Sequence, residues 1–190
     1  MSGNAIAGNR SFGVLISTVG TVVEMNGNLI EGTLPQDVSK GMGVGIQLQD
    51  GAVATLDGDA VVGNRLAGIY AQDELGLGTR VSVRATLVQD MLASESDGVY
   101  GAGAVASGAG LVLDACLVRR NRAAGVVGWH ADMDVSGTLV RATLAGSAIK
   151  AQDPGTYEIG DGVLGLIDSN VAIDGCVLDG NARAGVLPSR

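Results

Sequence analysis

Apolar, small and polar residues recur along the chain in seven aligned units, each of roughly 22 to 30 residues. Each unit is counted from one anchor residue, and the anchors are Asn9, Thr33, Asn64, Met91, Asn121, Thr143 and Asn181. An apolar residue stands eight positions before every anchor: Met1, Met25, Leu56, Val83, Leu113, Val135 and Ile173. Columns that keep their character through every unit predict a solenoid, since each unit buries its interior only against its neighbours.

Two more columns set the shape of a unit. Six positions before the anchor stands a glycine or alanine: Gly3, Gly27, Gly58, Ala85, Ala115, Gly137 and Gly175. Four positions before it stands another apolar residue: Ala5, Leu29, Ala60, Leu87, Leu117, Leu139 and Val177. The even spacing predicts apolar side chains that point the same way on a strand. The glycine column predicts a tight corner where no bulky side chain fits.

Each unit therefore reads as one coil of three short strands. The first strand begins at the glycine after the anchor, as in residues 46–48, the second is an alternating stretch such as 111–113, and the third follows the corner, as at 117–118. The sequence predicts an all-β protein with one domain over residues 1–190, in which coils stack about 4.7–4.9 Å apart.

The motif Asn-x-x-x-Gly followed by an apolar residue is the clearest part of the repeat. It begins at Asn9, Asn64, Asn121 and Asn181. It resembles the right-handed parallel β-helix repeat of the pectate-lyase-like superfamily, over nearly the whole chain. The resemblance implies a right-handed solenoid of about seven coils and favours an extracellular or cell-surface location. It implies no single function, because enzymes, adhesins and scaffolds share this fold.

The connection from anchor to glycine alternates between short and long. It is short after the four asparagines, whereas three long connections run from Thr33 to Gly45 (insert 1), from Met91 to Gly103 (insert 2) and from Thr143 to Gly162 (insert 3). We expect the inserts to emerge from every second coil along one edge. The resemblance implies that this edge and the outer face of the first strand form a ligand cleft.

The outward column of the first strand argues against catalysis. It runs Leu15, Gln47, Tyr70, Val105, Val127, Leu164 and Leu187. Enzymes that the repeat resembles carry aspartates here, as acids or as Ca²⁺ ligands, together with Arg or Lys. This column holds none of these residues. An exposed apolar strip instead indicates a contacted surface.

Aromatic residues concentrate at the same edge. All five, Phe12, Tyr70, Tyr100, Trp129 and Tyr157, fall on or beside it. The candidate binding residues for a glycan are Gln47, Tyr70, Tyr100, Trp129 and Tyr157. The alternative is that Tyr100 and Tyr157 fold down from the inserts as lids, since aromatic side chains favour burial with a wet polar tip.

Carboxylates cluster in the inserts at Asp37, Glu95, Asp97, Asp153, Glu158 and Asp161. Glycoside hydrolysis needs two carboxyl groups about 5–9.5 Å apart, and Asp97 with Asp161 is the candidate catalytic pair. The favoured interpretation is that these acids are solvated. Ca²⁺ is a lesser alternative because no loop of fixed ligand spacing is present, so neither a cofactor nor a metal site is predicted. His130 is interpreted as a residue of a surface turn.

Charge and cysteine spacing exclude several classes of protein. The formal net charge is −8, and the basic residues are scattered, which argues against a nucleic-acid partner. No apolar run approaches the ~20 residues of a membrane-spanning helix. Cys116 and Cys176 share a column two coils apart, about 9–10 Å. This separation exceeds the ~7 Å limit of a disulfide, so both are predicted to be free thiols.

No capping helix is apparent at either end of the predicted solenoid. We therefore expect either a piece of a longer solenoid or a unit that self-associates into a homo-oligomer. Three functional hypotheses follow. The first is a non-catalytic binding or scaffold module that presents the insert edge to a glycan or protein. The second is a polysaccharide lyase or glycoside hydrolase, and the third is a structural stacking unit.

Overall fold

The computed structural model describes residues 1–150 and 153–188, and these residues form three parallel sheets that run the length of a solenoid. Sheet 1 contains β2 (Phe12–Ser17), β5 (Val44–Gln49), β8 (Ala67–Gln72), β11 (Ala102–Ser107), β14 (Ala124–Trp129), β19 (Asp161–Leu166) and β22 (Val186–Pro188). Sheet 2 contains β3 (Val22–Asn26), β6 (Val53–Asp57), β9 (Arg80–Arg84), β12 (Gly110–Asp114), β15 (Asp132–Ser136) and β20 (Asn170–Asp174). Sheet 3 contains β1 (Ala5–Ala7), β4 (Leu29–Glu31), β7 (Ala60–Val62), β10 (Leu87–Gln89), β13 (Leu117–Arg119), β16 (Leu139–Arg141) and β21 (Val177–Asp179).

Successive strands of each sheet belong to successive coils, which makes the architecture a parallel β-helix. The predicted all-β solenoid of about seven coils, with long connections on alternate coils, is confirmed. Insert 3 contains an antiparallel hairpin of β17 (Gly146–Lys150) and β18 (Asp153–Ile159). The described residues include no helix long and apolar enough to cross a membrane.

The core is built from the predicted columns. Met25 pairs in register with Leu56, and the same column continues through Val83, Leu113 and Val135, all of them buried. Stacked apolar side chains of this kind supply most of the stabilisation of a solenoid, because each coil covers the next.

The column four positions before the anchor does not face the core. Leu87 and Leu117 lie half-buried on the outer face of sheet 3, whereas the next residues, Val88 and Val118, are fully buried. The expectation that the two apolar columns point the same way is therefore wrong. The corner between them interrupts the strand, so the side-chain alternation restarts after it.

The corner selects glycine by backbone conformation rather than by lack of space. Every residue of the glycine/alanine column has a positive φ, from 47° at Ala85 to 65° at Gly58. A Cβ added at Gly27 or Gly58 would meet no atom within 4 Å. The left-handed region costs an L-residue roughly 1–2 kcal/mol, so Ala85 and Ala115 adopt it at an energetic cost that glycine avoids.

The anchor asparagines join coils in pairs. The buried Asn121 accepts a hydrogen bond from the Met91 N–H at its Oδ1 (3.2 Å) and donates from Nδ2 to the Val88 carbonyl (3.3 Å). Asn64 and Asn181 bond in the same way to the coil before them. Each of the three thus ties its own short-connection coil to the preceding insert-bearing coil. These asparagines are therefore structural, and they form no continuous ladder because Thr33, Met91 and Thr143 occupy the alternate anchor positions.

Glycine at the start of the first strand makes room for this bond. A Cβ on Gly103 would lie 2.7 Å from the Asn121 Nδ2 and 2.5 Å from the Gly125 carbonyl oxygen. Both distances are shorter than a van der Waals contact, so only glycine fits. The two cysteines are free thiols, as predicted, and the Cys116 Sγ lies 3.4 Å from the Val83 carbonyl oxygen.

Candidate functional site

The inserts and the outer face of sheet 1 enclose one groove of about 550 Å³, here called the insert groove. Each insert contributes one described side chain to it: Met42 from insert 1, Tyr100 from insert 2 and Ile159 from insert 3. The other lining residues are Leu66, Ala67, Tyr70, Gln72, Val105, Ser107, Val127, Trp129, Leu164 and Leu166. The expectation that the inserts emerge along one edge is therefore met by a shared cavity.

Two parallel rows of side chains form the floor of the groove. The first is the predicted outward column, in which Tyr70, Val105, Val127 and Leu164 pair in register on neighbouring coils. The second row stands two residues further along each strand and contains Gln72, Ser107, Trp129 and Leu166. Side chains two positions apart share a face and lie about 6.6 Å from each other. The groove therefore sets an apolar row beside a row that is polar at one end.

Tyr70 joins the two rows through its hydroxyl, which shares a hydrogen bond with Ser107. Burial raises the pKa of Tyr70 above its ordinary value, the nearby Tyr100 and Glu74 raise it further, and the bond to Ser107 opposes them. The phenol is consequently neutral at physiological pH. It is available as a neutral hydrogen-bonding group at the floor of the groove.

The structure brings three of the five predicted binding residues together. Tyr70, Tyr100 and Trp129 all line the insert groove. Gln47 does not, because it is only 1% exposed, and its Oε1 has no hydrogen-bond partner among the described residues. Tyr157 lies outside the residues whose side chains the structure describes. Three aromatic side chains therefore line the groove, and the polar side chains beside them are those of Gln72 and Ser107 rather than Gln47.

The predicted acid pair is not assembled in the groove. Asp161 is fully buried at the start of β19 and forms an ion pair with Arg183, whose Nε lies 2.9 Å from Oδ1. Asp97 is exposed in insert 2, where its Oδ1 accepts a hydrogen bond from the Val99 N–H (3.2 Å). Neither aspartate lines the groove. Asp161 is committed to a structural contact, so the pairing of these two acids has no geometric support.

Arginines at the base of the inserts were not anticipated from the sequence. Arg10 forms a 2.6 Å ion pair with Asp37 of insert 1, and Arg65 forms a 2.8 Å ion pair with Glu95 of insert 2. Each arginine also donates to a carbonyl oxygen two residues before the acid. Asp37 and Glu95, interpreted as solvated, therefore fasten their inserts to the preceding coil. The available signal was the dipeptide Asn-Arg at Asn9 and at Asn64, each with an acid four residues after the next anchor.

His130 lies in an exposed turn after β14, with its Nδ1 3.9 Å from Asp168 Oδ2. It borders a second, shallower depression of about 680 Å³ that extends over sheet 2 and includes Arg80, Asp132 and Asp134. Within residues 1–150 and 153–188, no three His, Cys, Asp or Glu side chains are grouped so that they could hold a metal ion. The histidine therefore has the surroundings of a surface residue.

The fold and the groove define a parallel β-helix with a ligand-sized cavity under loops from alternate coils. We compared the chain with protein-family models, with curated proteins and with solved structures, and none of these comparisons found a match.

Proposed function

We propose that this chain is a non-catalytic binding module that holds a glycan in the insert groove. One observation carries the proposal: an apolar row runs along the groove beside a second row that is polar at one end. A sugar ring has the matching character, since its C–H groups form an apolar face and its hydroxyls form a polar rim. Ligand sites of this kind combine apolar walls with a few placed polar groups.

The aromatic side chains supply the stacking surfaces. Trp129 and Tyr100 are half-buried, so part of each ring is accessible to a ligand that lies in the groove. Aromatic rings present a large rigid surface with a polar tip, which suits contact with a ligand that is apolar on one face and polar at its edge. Gln72 and Ser107 lie in the same row as Trp129 and are positioned to meet the sugar hydroxyls.

Binding is favoured over the enzymatic alternative by the positions of the acids. A hydrolase needs one carboxyl group as an acid and another as a nucleophile or base at the same bond. Asp161 is buried against Arg183, and the groove lining of described residues consists of aliphatic, aromatic, amide and hydroxyl side chains. A ligand in the groove would therefore meet groups that bind it, while the lining supplies no carboxyl pair.

The test is calorimetric titration of the purified chain with a panel of neutral and acidic polysaccharides. We expect saturable binding to at least one of them. Trp129→Ala should weaken it about fivefold, which corresponds to about 1 kcal/mol for one lost stacking contact. Tyr70→Phe removes only the hydroxyl and should cost less than the loss of the tryptophan ring.

The matched control is Val22→Ala, because Val22 is 72% exposed on sheet 2 and does not line the groove. All variants should retain the far-ultraviolet circular dichroism and the melting temperature of the parent chain. Absence of saturable binding across the panel would reject the proposal. Release of shortened products from a bound polysaccharide would replace it with the enzymatic alternative.

A further inference from the structure

We infer that the insert groove selects uncharged saccharides and rejects those that carry carboxylates, such as uronates. This inference rests on the proposed function and names the ligand class of the same site. Its first basis is that all thirteen described lining residues are uncharged. A carboxylate placed among them would lose water without gaining a cation, and burial of an unpaired charge is strongly unfavourable.

Glu74 places a negative charge beside the polar end of the groove. Glu74 accepts a hydrogen bond from the Gln72 side chain, and its negative charge contributes to the raised pKa of Tyr70 on the groove floor. On the insert side, Arg10 and Arg65 are held by Asp37 and Glu95. The formal net charge of −8 adds a repulsive background. An anionic ligand would therefore be repelled by Glu74, and the described lining residues supply no cation to pair with it.

Gln72 and Glu74 lie together at the polar end of the groove. The Glu74 carboxylate accepts a hydrogen bond from Gln72 Nε2, so a ligand that reaches the Gln72 amide lies close to a negative charge. A sugar hydroxyl can donate to the amide oxygen and accept from the second N–H of Nε2. An ionised carboxylate has only acceptors and would also be repelled by Glu74. The position of Glu74 thus favours the same ligand class as the uncharged lining.

The fluorescence of Trp129 reports on ligand binding, since Trp129 is the single tryptophan of the chain and lines the groove. Tryptophan fluorescence is followed during titration with hexasaccharides of glucose, galactose and mannose. Each is paired with its counterpart in which the primary alcohols have been oxidised to carboxylates. At low ionic strength, we expect the best neutral hexasaccharide to bind at least about tenfold more tightly than its oxidised partner.

A charge-adding variant tests whether electrostatics is the cause. Gln72→Lys removes the acceptor and places a cation on the polar row, so it should tighten binding of the oxidised sugar about fivefold, the upper range for an accessible ion pair. Gln49→Lys is the matched control, because Gln49 occupies the same column one coil earlier and lies outside the groove. It should leave both affinities unchanged.

The outcomes separate the two claims. Equal or tighter binding of an oxidised hexasaccharide would overturn the selectivity while leaving glycan binding in place. Failure of Gln72→Lys to improve binding of the oxidised sugar, when Gln49→Lys behaves as the parent, would also overturn it. Absence of binding by every neutral and oxidised sugar, with no change in heat or fluorescence, would instead reject the proposed function itself.

Discussion

Replacement of Asn121 by alanine should be among the most destabilising single substitutions of a polar residue in this chain. The side chain is fully buried and makes two hydrogen bonds to the preceding coil, one from the Met91 N–H and one to the Val88 carbonyl. Alanine removes both and leaves a buried donor and a buried acceptor without partners. Each unsatisfied group costs about 1–3 kcal/mol, so we expect a loss of about 2–6 kcal/mol in the free energy of unfolding.

The chain contains its own graded controls. Asn181 makes the same pair of bonds, at 3.1 and 3.4 Å, but it is only half-buried, so water can replace part of what is lost. Asn9 is exposed and precedes the first described insert coil, and its substitution should change stability by less than about 0.5 kcal/mol. The expected order of destabilisation by alanine is therefore Asn121, then Asn181, then Asn9.

Equilibrium urea denaturation followed by circular dichroism measures this order. The comparison should use transition midpoints at constant slope, because a changed slope signals a changed unfolded or partly folded state. If Asn121→Ala and Asn9→Ala differ by less than about 0.5 kcal/mol, the side-chain bonds between coils do not stabilise the fold as argued. Stability would then have to come from the apolar columns alone.

Three further predictions concern the corner, a buried carboxylate and the thiols. Ala115→Gly should raise the free energy of unfolding by about 0.5–1 kcal/mol, because φ is 52° at Ala115. Ala60→Gly in β7, outside the left-handed region, should lower the free energy of unfolding. Changes of the same sign in the two variants would contradict this explanation. Burial alone would raise the pKa of Asp73, but hydrogen bonds from the backbone N–H groups of residues 77–79 outweigh it and lower the pKa. The stabilisation from the ionised Asp73 is therefore fully present above its unfolded pKa near ~4, and it is lost as pH falls through the folded pKa. Urea denaturation should show that the parent chain is more stable than Asp73→Asn at pH ~5 and that this difference shrinks toward pH ~2.5. Burial raises the pKa of the Cys116 thiol, so a thiol reagent at pH ~8 should modify the more exposed Cys176 first, and comparable rates would count against this.

The fold was predictable because the same pattern of apolar, small and polar positions recurs along the chain. Met25, Leu56 and Val83 occupy one column, and a wrong register in any coil would have broken a column that the other coils define. The alternation of inserts was visible for the same reason. Repetition supplies an internal alignment, which most single sequences lack.

The remaining details depend on contacts between coils or on backbone conformation, which spacing alone does not reveal. The outward position of Leu87 follows from the left-handed corner, because a positive φ breaks the alternation of the strand. Asp161 appeared to be an insert acid, but its partner Arg183 stands on the next coil, 22 residues away. Gln47 has the right position in its column but is buried in the folded chain, so its place in the sequence did not reveal its accessibility.

The asparagine hydrogen bonds between coils limit how the number of coils in such a protein can change. Each bond joins one insert coil to the short coil after it, and the arginine of a short coil fastens the insert that follows. The smallest segment that can be duplicated without breaking these contacts is a pair of coils, as in the 57-residue spacing between Asn64 and Asn121. Gain or loss of such a cassette would lengthen or shorten the groove by about 9–10 Å while preserving its chemistry. Gene duplication would therefore change the length of the groove, and with it the size of the proposed glycan ligand, in discrete steps.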